Sequence, residues 1–448
     1  MIKESIMKRL FGTDGVRGVA NKDLTPSLAM KLASAVVRVL KPQGEGCVVF
    51  VGCDTRISSP MLSDAILCGL CAAGAHAVNL GVLPTPAVAY LTRLHRADAG
   101  IVISASHNSF EHNGIKVFSG EGYKLADELE EKIEALVEDG IELATGEQIG
   151  IREDKSEYKS EYLSYLRGIC PERLDGLKIA IDCANGATSA LARELFTSLG
   201  AKCHMLASEP NGININDGCG SVYVDKMCDY VVKNRLDAGI AFDGDGDRLM
   251  CVNERGEVVD GDMIMASLAY DMKKRGALVK NTVVGTIMTN LGFEIFCREN
   301  GIDFIPARVG DRYVLEEMLL GGYSFGGEQS GHLIFSEYST TGDGMLSALM
   351  LLSLMKRKSL PLSTLHSVMK RLPQALVNIE ADKEQKLTFL RSEKIRQVLD
   401  DAKATLGTSG RIVARPSGTE SLIRIMVESP DSPEKIADSV AEKIKSLL

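Results

Sequence analysis

The chain has 448 residues, 45% of them hydrophobic and 25% charged, with a formal net charge of −9. A chain this long exceeds one hydrophobic core and predicts about three or four ordinary globular domains. The negative balance and the lack of a long basic run argue against a nucleic-acid partner, and an anionic small molecule would need a local cluster of positive groups.

From the N-terminus, residues 1–10 carry Lys3, Glu4, Lys8 and Arg9 and lack the apolar core of a secretion signal. Gly12-Thr13-Asp14-Gly15-Val16-Arg17-Gly18 is a glycine-rich turn whose spacing fits neither a P-loop nor a dinucleotide fingerprint; Arg17 is a candidate phosphate contact. One order then recurs three times: apolar strand, short loop, helix, glycine, second strand. The copies are 47–53, 62–73, Gly74 and 75–80; then 177–183, 189–199, Gly200 and 201–207; then 282–287, 291–299, Gly301 and 302–307. Continuous apolar strands predict parallel sheets covered on both faces, and the glycine after each helix suits a left-handed cap.

Residues 65–92 hold no Asp, Glu, Lys or Arg, but Gly69, Gly74, Gly81, Pro84 and Pro86 interrupt them. They read as a buried helix, a strand and a turn, so no membrane contact is expected. The eleven cysteines follow no framework spacing, which fits reduced thiols in a cytoplasmic protein. Cys68 and Cys71 form a lone pair of the CxxC kind, read as core packing. At the C-terminus, 375–381, 411–415 and 422–428 read as strands, and Ser432 as N-cap with Pro433 after it starts a last helix. The expected fold is three similar α/β domains with mixed, mostly parallel sheets plus a smaller C-terminal α+β domain, at 1–153, 154–256, 257–370 and 371–448. The charged stretches 150–160 and 380–395 are expected as linkers or surface faces.

Four polar clusters carry the chemistry. The apolar run from Ile101 ends in Ser104, Ala105, Ser106, His107 and Asn108, which puts hydroxyls at the carboxyl end of a strand, where α/β sheets bind ligands. Ser106 and His107 are neighbours on an extended chain and should point apart, so a hydrolase triad is not expected. Ser104 and Ser106 share a face, and composition does not choose between them, although Ser106 is nearer the loop. Lys116 follows as a nearby cation. Asp243, Asp245 and Asp247 alternate before Arg248; three clustered carboxylates repel unless a cation joins them, and oxygen ligands favour Mg²⁺ or Ca²⁺. An EF-hand is excluded by Arg248 where that loop needs glycine, and by the strand-like run at 249–252. Gly326-Gly327-Glu328-Gln329-Ser330-Gly331-His332 sets polar side chains between glycines, suited to sugar hydroxyls. Arg415-Pro416-Ser417-Gly418-Thr419-Glu420, with Arg424 on the next strand, has the makings of a phosphate cradle.

Together these segments resemble the active-site loops of the α-D-phosphohexomutase family, in its order and one per domain. The turn at 11–18 and Gln329 are similar to the branch that acts on glucosamine phosphates. Ser109 departs from the family, which often has Pro there. The resemblance implies a four-domain enzyme in which Ser106 carries a phosphoryl group and joins Asp243, Asp245 and Asp247 around one Mg²⁺. It implies that Glu328 and Ser330 hold sugar hydroxyls and that Arg415, Ser417, Gly418, Thr419 and Arg424 hold the idle phosphate. Arg17, His107, Lys116 and Arg248 would line the reacting centre, Lys116 ahead of His107 as general acid or base. The implied reaction converts glucosamine 6-phosphate and 1-phosphate through a sugar 1,6-bisphosphate, which also serves as activator. A homodimer is compatible with this. The competing readings are a phosphomannomutase/phosphoglucomutase, a metal-dependent phosphatase and a silent sugar-phosphate sensor.

Overall fold

The computed structural model of the chain describes residues 10–12, 14–41, 46–170, 172–407, 409–417 and 421–448. Residues 1–9, and Thr13, Gly418, Thr419 and Glu420 of the motifs above, lie outside them.

Each of the three repeats folds as strand, helix, strand. The first places Val48–Cys53 and His76–Val82 around helix Ser59–Ala72, and the third places Thr282–Thr286 and Asp303–Ala307 around helix Leu291–Glu299. The second has strands Lys178–Asp182 and Lys202–Leu206, but the expected helix at 189–199 is shorter: a 3₁₀ turn at Ala187–Ala190 precedes a helix of Ala192–Ser198. Packing explains the difference. The Ala187 amide bonds to the Gly244 carbonyl at 2.9 Å, so the start of this segment is spent on the aspartate loop. Gly74, Gly200 and Gly301 take φ of 91°, 99° and 62°, as the cap reading requires.

In every α/β sheet the parallel strands are bordered on one side by an antiparallel return. The first sheet runs Val16–Val19, His112–Ser119, Ala99–Ile103, Val48–Cys53, His76–Val82, Arg152–Asp154; its last four strands are mutually parallel and its first three antiparallel. The edge strand Arg152–Asp154 straddles the boundary placed at 153/154 and occupies the charged stretch expected as a linker or surface face. The second sheet runs Val258–Val259, Leu249–Asn253, Ala238–Phe242, Lys178–Asp182, Lys202–Leu206, and the third Asp303–Ala307, Thr282–Thr286, Phe325–Gly327, Leu333–Phe335. The C-terminal sheet is Gln374–Glu380, Leu422–Glu428, Arg411–Pro416, antiparallel throughout. One consequence positions all the chemistry. The polar clusters at 104–111, 243–248 and 328–332 are the same element three times, the connection between a strand and its antiparallel neighbour, and Ser417 follows strand Arg411–Pro416, whose antiparallel neighbour is Leu422–Glu428.

A continuous buried cluster runs from Phe50 and Leu91 through Leu195 and Phe242 to Phe293 and Leu352, so the three α/β units share core. The C-terminal unit has its own, around Ile395, Ile425 and Val440. It meets the third unit through Glu428, wholly buried, which accepts from Asn290, the Leu291 amide and Arg411.

Several local expectations are corrected. Residues 383–391, expected as a linker or surface face, are a largely exposed helix (Lys383–Arg391) and not a linker, opened by a capping box between Asp382 and Gln385. Ser432 sits at the N-cap of Pro433–Lys445 but takes a left-handed φ of 48° and makes no capping bond. Cys68 is exposed on its helix and is not core, whereas Cys71 is half-buried; all eleven cysteines are free. Residues 65–92 do form a helix and a strand, but the final turn leads at once into helix Thr85–Leu94. Among the described residues no helix is long and apolar enough to cross a membrane.

Asp343 gives a testable pH dependence. Its Oδ1 accepts the Leu346 amide at 2.9 Å, capping helix Gly344–Lys358, and its Oδ2 accepts the Tyr162 hydroxyl at 2.7 Å. Burial pushes its carboxyl up to about 6 against an ordinary 3.8. Between those values the folded chain holds a proton that the unfolded chain has lost, so stability falls as pH rises through this window, by on the order of 3 kcal/mol. Asp343→Asn keeps the cap on the Leu346 amide, replaces the bond accepted from Tyr162 by one its Nδ2 donates to the Tyr162 oxygen, and removes the titration. Its urea midpoint should therefore decline less than that of the wild type between pH 4.5 and 7.

Candidate active site

Ser106 departs from the strand geometry expected of it. It takes a left-handed φ of 52°, is 1% exposed, and its Oγ donates to Asp243 Oδ2 at 2.6 Å. The same twist brings its Oγ to 3.3 Å from His107 Nδ1, so the expectation that the two neighbours point apart is wrong: it assumed an extended backbone. Ser104 remains at the strand end, buried, with its hydroxyl donating to Asp54 Oδ2 at 2.6 Å. The two serines therefore do not share surroundings.

Asp243, Asp245 and Asp247 each offer an oxygen within 4.8 Å of the others, and all three are buried. Burial, then Asp247 and Asp245, hold the Asp243 carboxyl well above its usual range. Asp247 goes the other way: burial raises it, but Lys116, His332 and Arg248 outweigh that and hold it far down. Asp245 Oδ2 accepts Lys116 Nζ at 2.9 Å and Thr85 Oγ1 at 2.8 Å. Oδ1 of Asp245 and Oδ1 of Asp247 are buried without a hydrogen-bond partner. Buried orphan carboxylate oxygens are costly, and a hard cation is what this donor set fits.

The cations expected around the centre are there. Lys116 stands on the returning strand opposite Val102, which places its amine over the aspartates. Burial disfavours its charge, but Asp14, Asp245 and Asp247 hold it well above the ordinary lysine value, so it stays protonated. His107 is pushed down to about 4 by burial, Arg248 and Arg17, and is neutral at pH 7. The Arg248 amide donates to Asp243 Oδ1 at 3.2 Å, and its guanidinium lies 3.8 Å from Asp247. Arg17 pairs with Asp14 and reaches the Ala105 carbonyl at 3.4 Å.

The third loop docks on the second domain. The Leu249 amide bonds to the Gly331 carbonyl at 3.0 Å, and a Cβ on Gly331, at φ 88°, would lie 2.0 Å from the Leu249 carbonyl oxygen. Glu328 Oε1 accepts the Gly310 amide at 3.2 Å, and burial raises its carboxyl. Ser330 is exposed. In the C-terminal unit Arg415 and Arg424 are direct cross-strand partners. Burial and then Arg424 pull the Arg415 guanidinium down. Facing like charges are eased by an anion. Ser417 is buried beside them, and its carbonyl accepts Lys386 Nζ at 2.8 Å. The contacts described for Arg415 and Ser417 stay within this unit and do not join the aspartate group.

Sequence reasoning passed over several contributors. Asp14 faces three cations, Arg17, Lys116 at 3.3 Å and Lys124 at 2.8 Å. Lys124 also reaches Asp311 in the third unit at 2.5 Å. His332, quoted only as the end of a glycine loop, is buried with Nδ1 3.6 Å from Asp247, and its Nε2 accepts the Gly342 amide at 3.0 Å. A carboxylate three residues before a candidate phosphate cation, and a histidine closing a glycine-rich loop, were the available signals.

Comparison with known proteins identifies the family. Four family models match in order: phosphoglucomutase/phosphomannomutase alpha/beta/alpha domain I at residues 8–143, domain II at 160–256, domain III at 260–372 and the C-terminal domain at 376–446. The chain is 48% identical over 446 residues to a phosphoglucosamine mutase of Clostridium botulinum, covering 98% of this chain and 99% of that one. It is 50% identical over 446 residues to the phosphoglucosamine mutase of Caldanaerobacter subterraneus, covering 99% and 100%. Among solved structures, a phosphoglucomutase/phosphomannomutase family protein from Burkholderia thailandensis superposes with a TM-score of 0.84 at 23% identity, over 98% of this chain and 97% of that one. An N-acetylphosphoglucosamine mutase from Aspergillus fumigatus, solved with GlcNAc-6P and magnesium, superposes at 0.70 with 16% identity, over 98% and 96%. These two likenesses concern the fold.

Proposed function

Because the chain belongs to the phosphoglucomutase/phosphomannomutase family, we propose that it is a cytoplasmic phosphoglucosamine mutase, interconverting glucosamine 6-phosphate and glucosamine 1-phosphate. The observation that carries the reading is the Ser106 hydroxyl 2.6 Å from Asp243, inside a buried group of three aspartates. The full-length relatives at 48% and 50% identity, both phosphoglucosamine mutases, support the amino-sugar substrate.

Ser106 is the carrier. The free hydroxyl of the bound sugar phosphate attacks the phosphorus on Ser106 Oγ; the new sugar O–P bond forms as the P–Oγ bond breaks, and the hydroxyl's proton ends on Ser106 Oγ. The sugar 1,6-bisphosphate so formed turns end for end, and its other phosphoryl group returns to Ser106 by the reverse of the same step. Such a transfer needs positioning and neutralised charge more than covalent chemistry. Asp243, Asp245, Asp247 and the seryl oxygen would hold one Mg²⁺, which supplies positive charge to the transferring group. Arg17 and Arg248 add cations at the same place. Lys116, held protonated, is the candidate acid that supplies a proton to the departing Ser106 oxygen, and neutral His107 is the alternative group able to accept the hydroxyl's proton. Glu328 and Ser330 bind sugar hydroxyls, and Arg415, Ser417, Gly418, Thr419 and Arg424 hold the idle phosphate in either orientation. The four functional loops fall one in each of the units expected at 1–153, 154–256, 257–370 and 371–448, with the first boundary moved past the edge strand Arg152–Asp154.

The test is a comparison of turnover on glucosamine, glucose and mannose phosphates with a sugar 1,6-bisphosphate as activator. Glucosamine phosphate is expected to be preferred by about tenfold or more in kcat/KM. Equal or faster turnover of the neutral sugars would make the chain a phosphomannomutase/phosphoglucomutase, and steady release of inorganic phosphate would make it a phosphatase.

A further inference from the structure

Arg56 is 1% exposed, and a guanidinium so placed must find all its partners within the protein. One is Asp54, whose Oδ2 accepts its Nε at 2.8 Å. That carboxylate is also engaged by Ser59 Oγ at 2.7 Å and Ser104 Oγ at 2.6 Å. The rest of the guanidinium turns to the carrier loop. Nη2 donates to the carbonyls of Ser106 and Asn108, each at 2.9 Å, and Nη1 donates to the carbonyl of Ser109. From the second domain, Asn216 Nδ2 donates to the same two carbonyls, of Ser106 and Asn108, each at 2.9 Å. The Ser106 amide is fixed as well, donating to Ser104 Oγ at 2.9 Å.

Both polar backbone groups of Ser106 are thus tied down, at a residue whose φ of 52° is unfavourable for any side chain but glycine. We propose that Arg56 and Asn216 are positioning residues of the transfer reaction: two donors from different domains that hold Ser106 in its left-handed conformation and so aim its hydroxyl at the aspartate group. Neither touches the transferring atoms, and the inference rests on Ser106 being the carrier. The aspartate loop is shaped to admit the clamp. A Cβ on Gly244 would lie 2.5 Å from the Ser106 carbonyl oxygen, so the bare glycine lets the two loops meet. Because Asn216 belongs to the second domain, docking of the two domains and the carrier's conformation are one event. Ser104 becomes a strut between Asp54 and the Ser106 amide.

The test uses full-length Arg56→Lys, Asn216→Ala and the double variant, with kcat, KM, thermal midpoint and the phosphorus NMR resonance of the phosphoserine. Each single change should lower kcat by about 10- to 100-fold while KM stays within about threefold. The phosphoserine resonance should shift or broaden, and the double variant should lose less than the product of the singles, since both side chains hold the same carbonyls. Wild-type kcat in the folded variants, or an unmoved resonance with kcat and KM drifting together, would overturn the proposal. If Arg56→Lys does not fold, Asn216→Ala decides alone by the same criteria. A wild-type protein that acquires no phosphoserine from a sugar 1,6-bisphosphate and Mg²⁺ would bring down the carrier reading and the clamp with it; a phosphorylated wild type with unaffected variants would bring down the clamp alone.

Discussion

Ser106→Ala is expected to lose turnover by about 10⁴-fold or more, the scale on which enzymes suffer when a covalent nucleophile is removed. Ser106 Oγ is the hydroxyl placed on the aspartate group, 2.6 Å from Asp243, and alanine leaves the phosphoryl group with no acceptor there. Ser104 does not substitute, because its hydroxyl is bound to Asp54 and its oxygen accepts the Ser106 amide. Ser104→Ala removes a strut and leaves the acceptor, so its expected loss is about tenfold, in line with one charge-assisted hydrogen bond. Rates of both variants with saturating bisphosphate activator check the pair. A Ser106→Ala enzyme as active as Ser104→Ala would show the roles to be misassigned.

The second large effect is on the metal. Excess chelator should abolish turnover and added Mg²⁺ should restore it. Asp245→Asn should lower the rate by on the order of 100-fold and raise the Mg²⁺ needed for half-maximal activity by a similar factor, because a hard cation depends on the charge of its oxygen ligands. Asp245 is the informative position. Its Oδ2 is held by Lys116 and Thr85, while its Oδ1 is buried with no partner. Replacing a carboxylate there also weakens the hold on the Lys116 amine, so calorimetric Mg²⁺ binding should be measured beside the rate. Full activity in excess chelator would rule the metal out.

How much of this was legible in the sequence depended on whether the signal was local. Continuous apolar strands with a glycine after each helix gave away the three repeats, and the alternating Asp243, Asp245 and Asp247 pointed to a group that could hold a cation. The antiparallel returns were legible only in part: 422–428 read as a strand, but nothing in His112–Ser119 said that it folds back beside Ala99–Ile103 to deliver Lys116. Ser106 misled because a left-handed residue leaves no mark in composition, and an apolar run before it favours an extended reading. Arg56 and Asn216 look like ordinary loop residues; their importance comes from carbonyls 50 and 110 positions away in the chain. The helix Lys383–Arg391 was hidden for another reason. Its buried face is Phe389, too little apolar surface to show a helical period, although the capping-box pair Asp382 and Gln385 was there to be read.

The most direct test of the central claim is to locate the phosphate. The full-length protein is incubated with a sugar 1,6-bisphosphate and Mg²⁺, digested with trypsin, and the peptide from Ala97 to Lys116, which holds Ser104, Ser106 and Ser109, is sequenced by mass spectrometry. Phosphate is expected on Ser106, exchanged for the phosphate of added glucosamine 6-phosphate, and absent from Ser106→Ala. Phosphate on Ser104, or turnover by an enzyme whose peptide is never phosphorylated at any of the three serines, would contradict it.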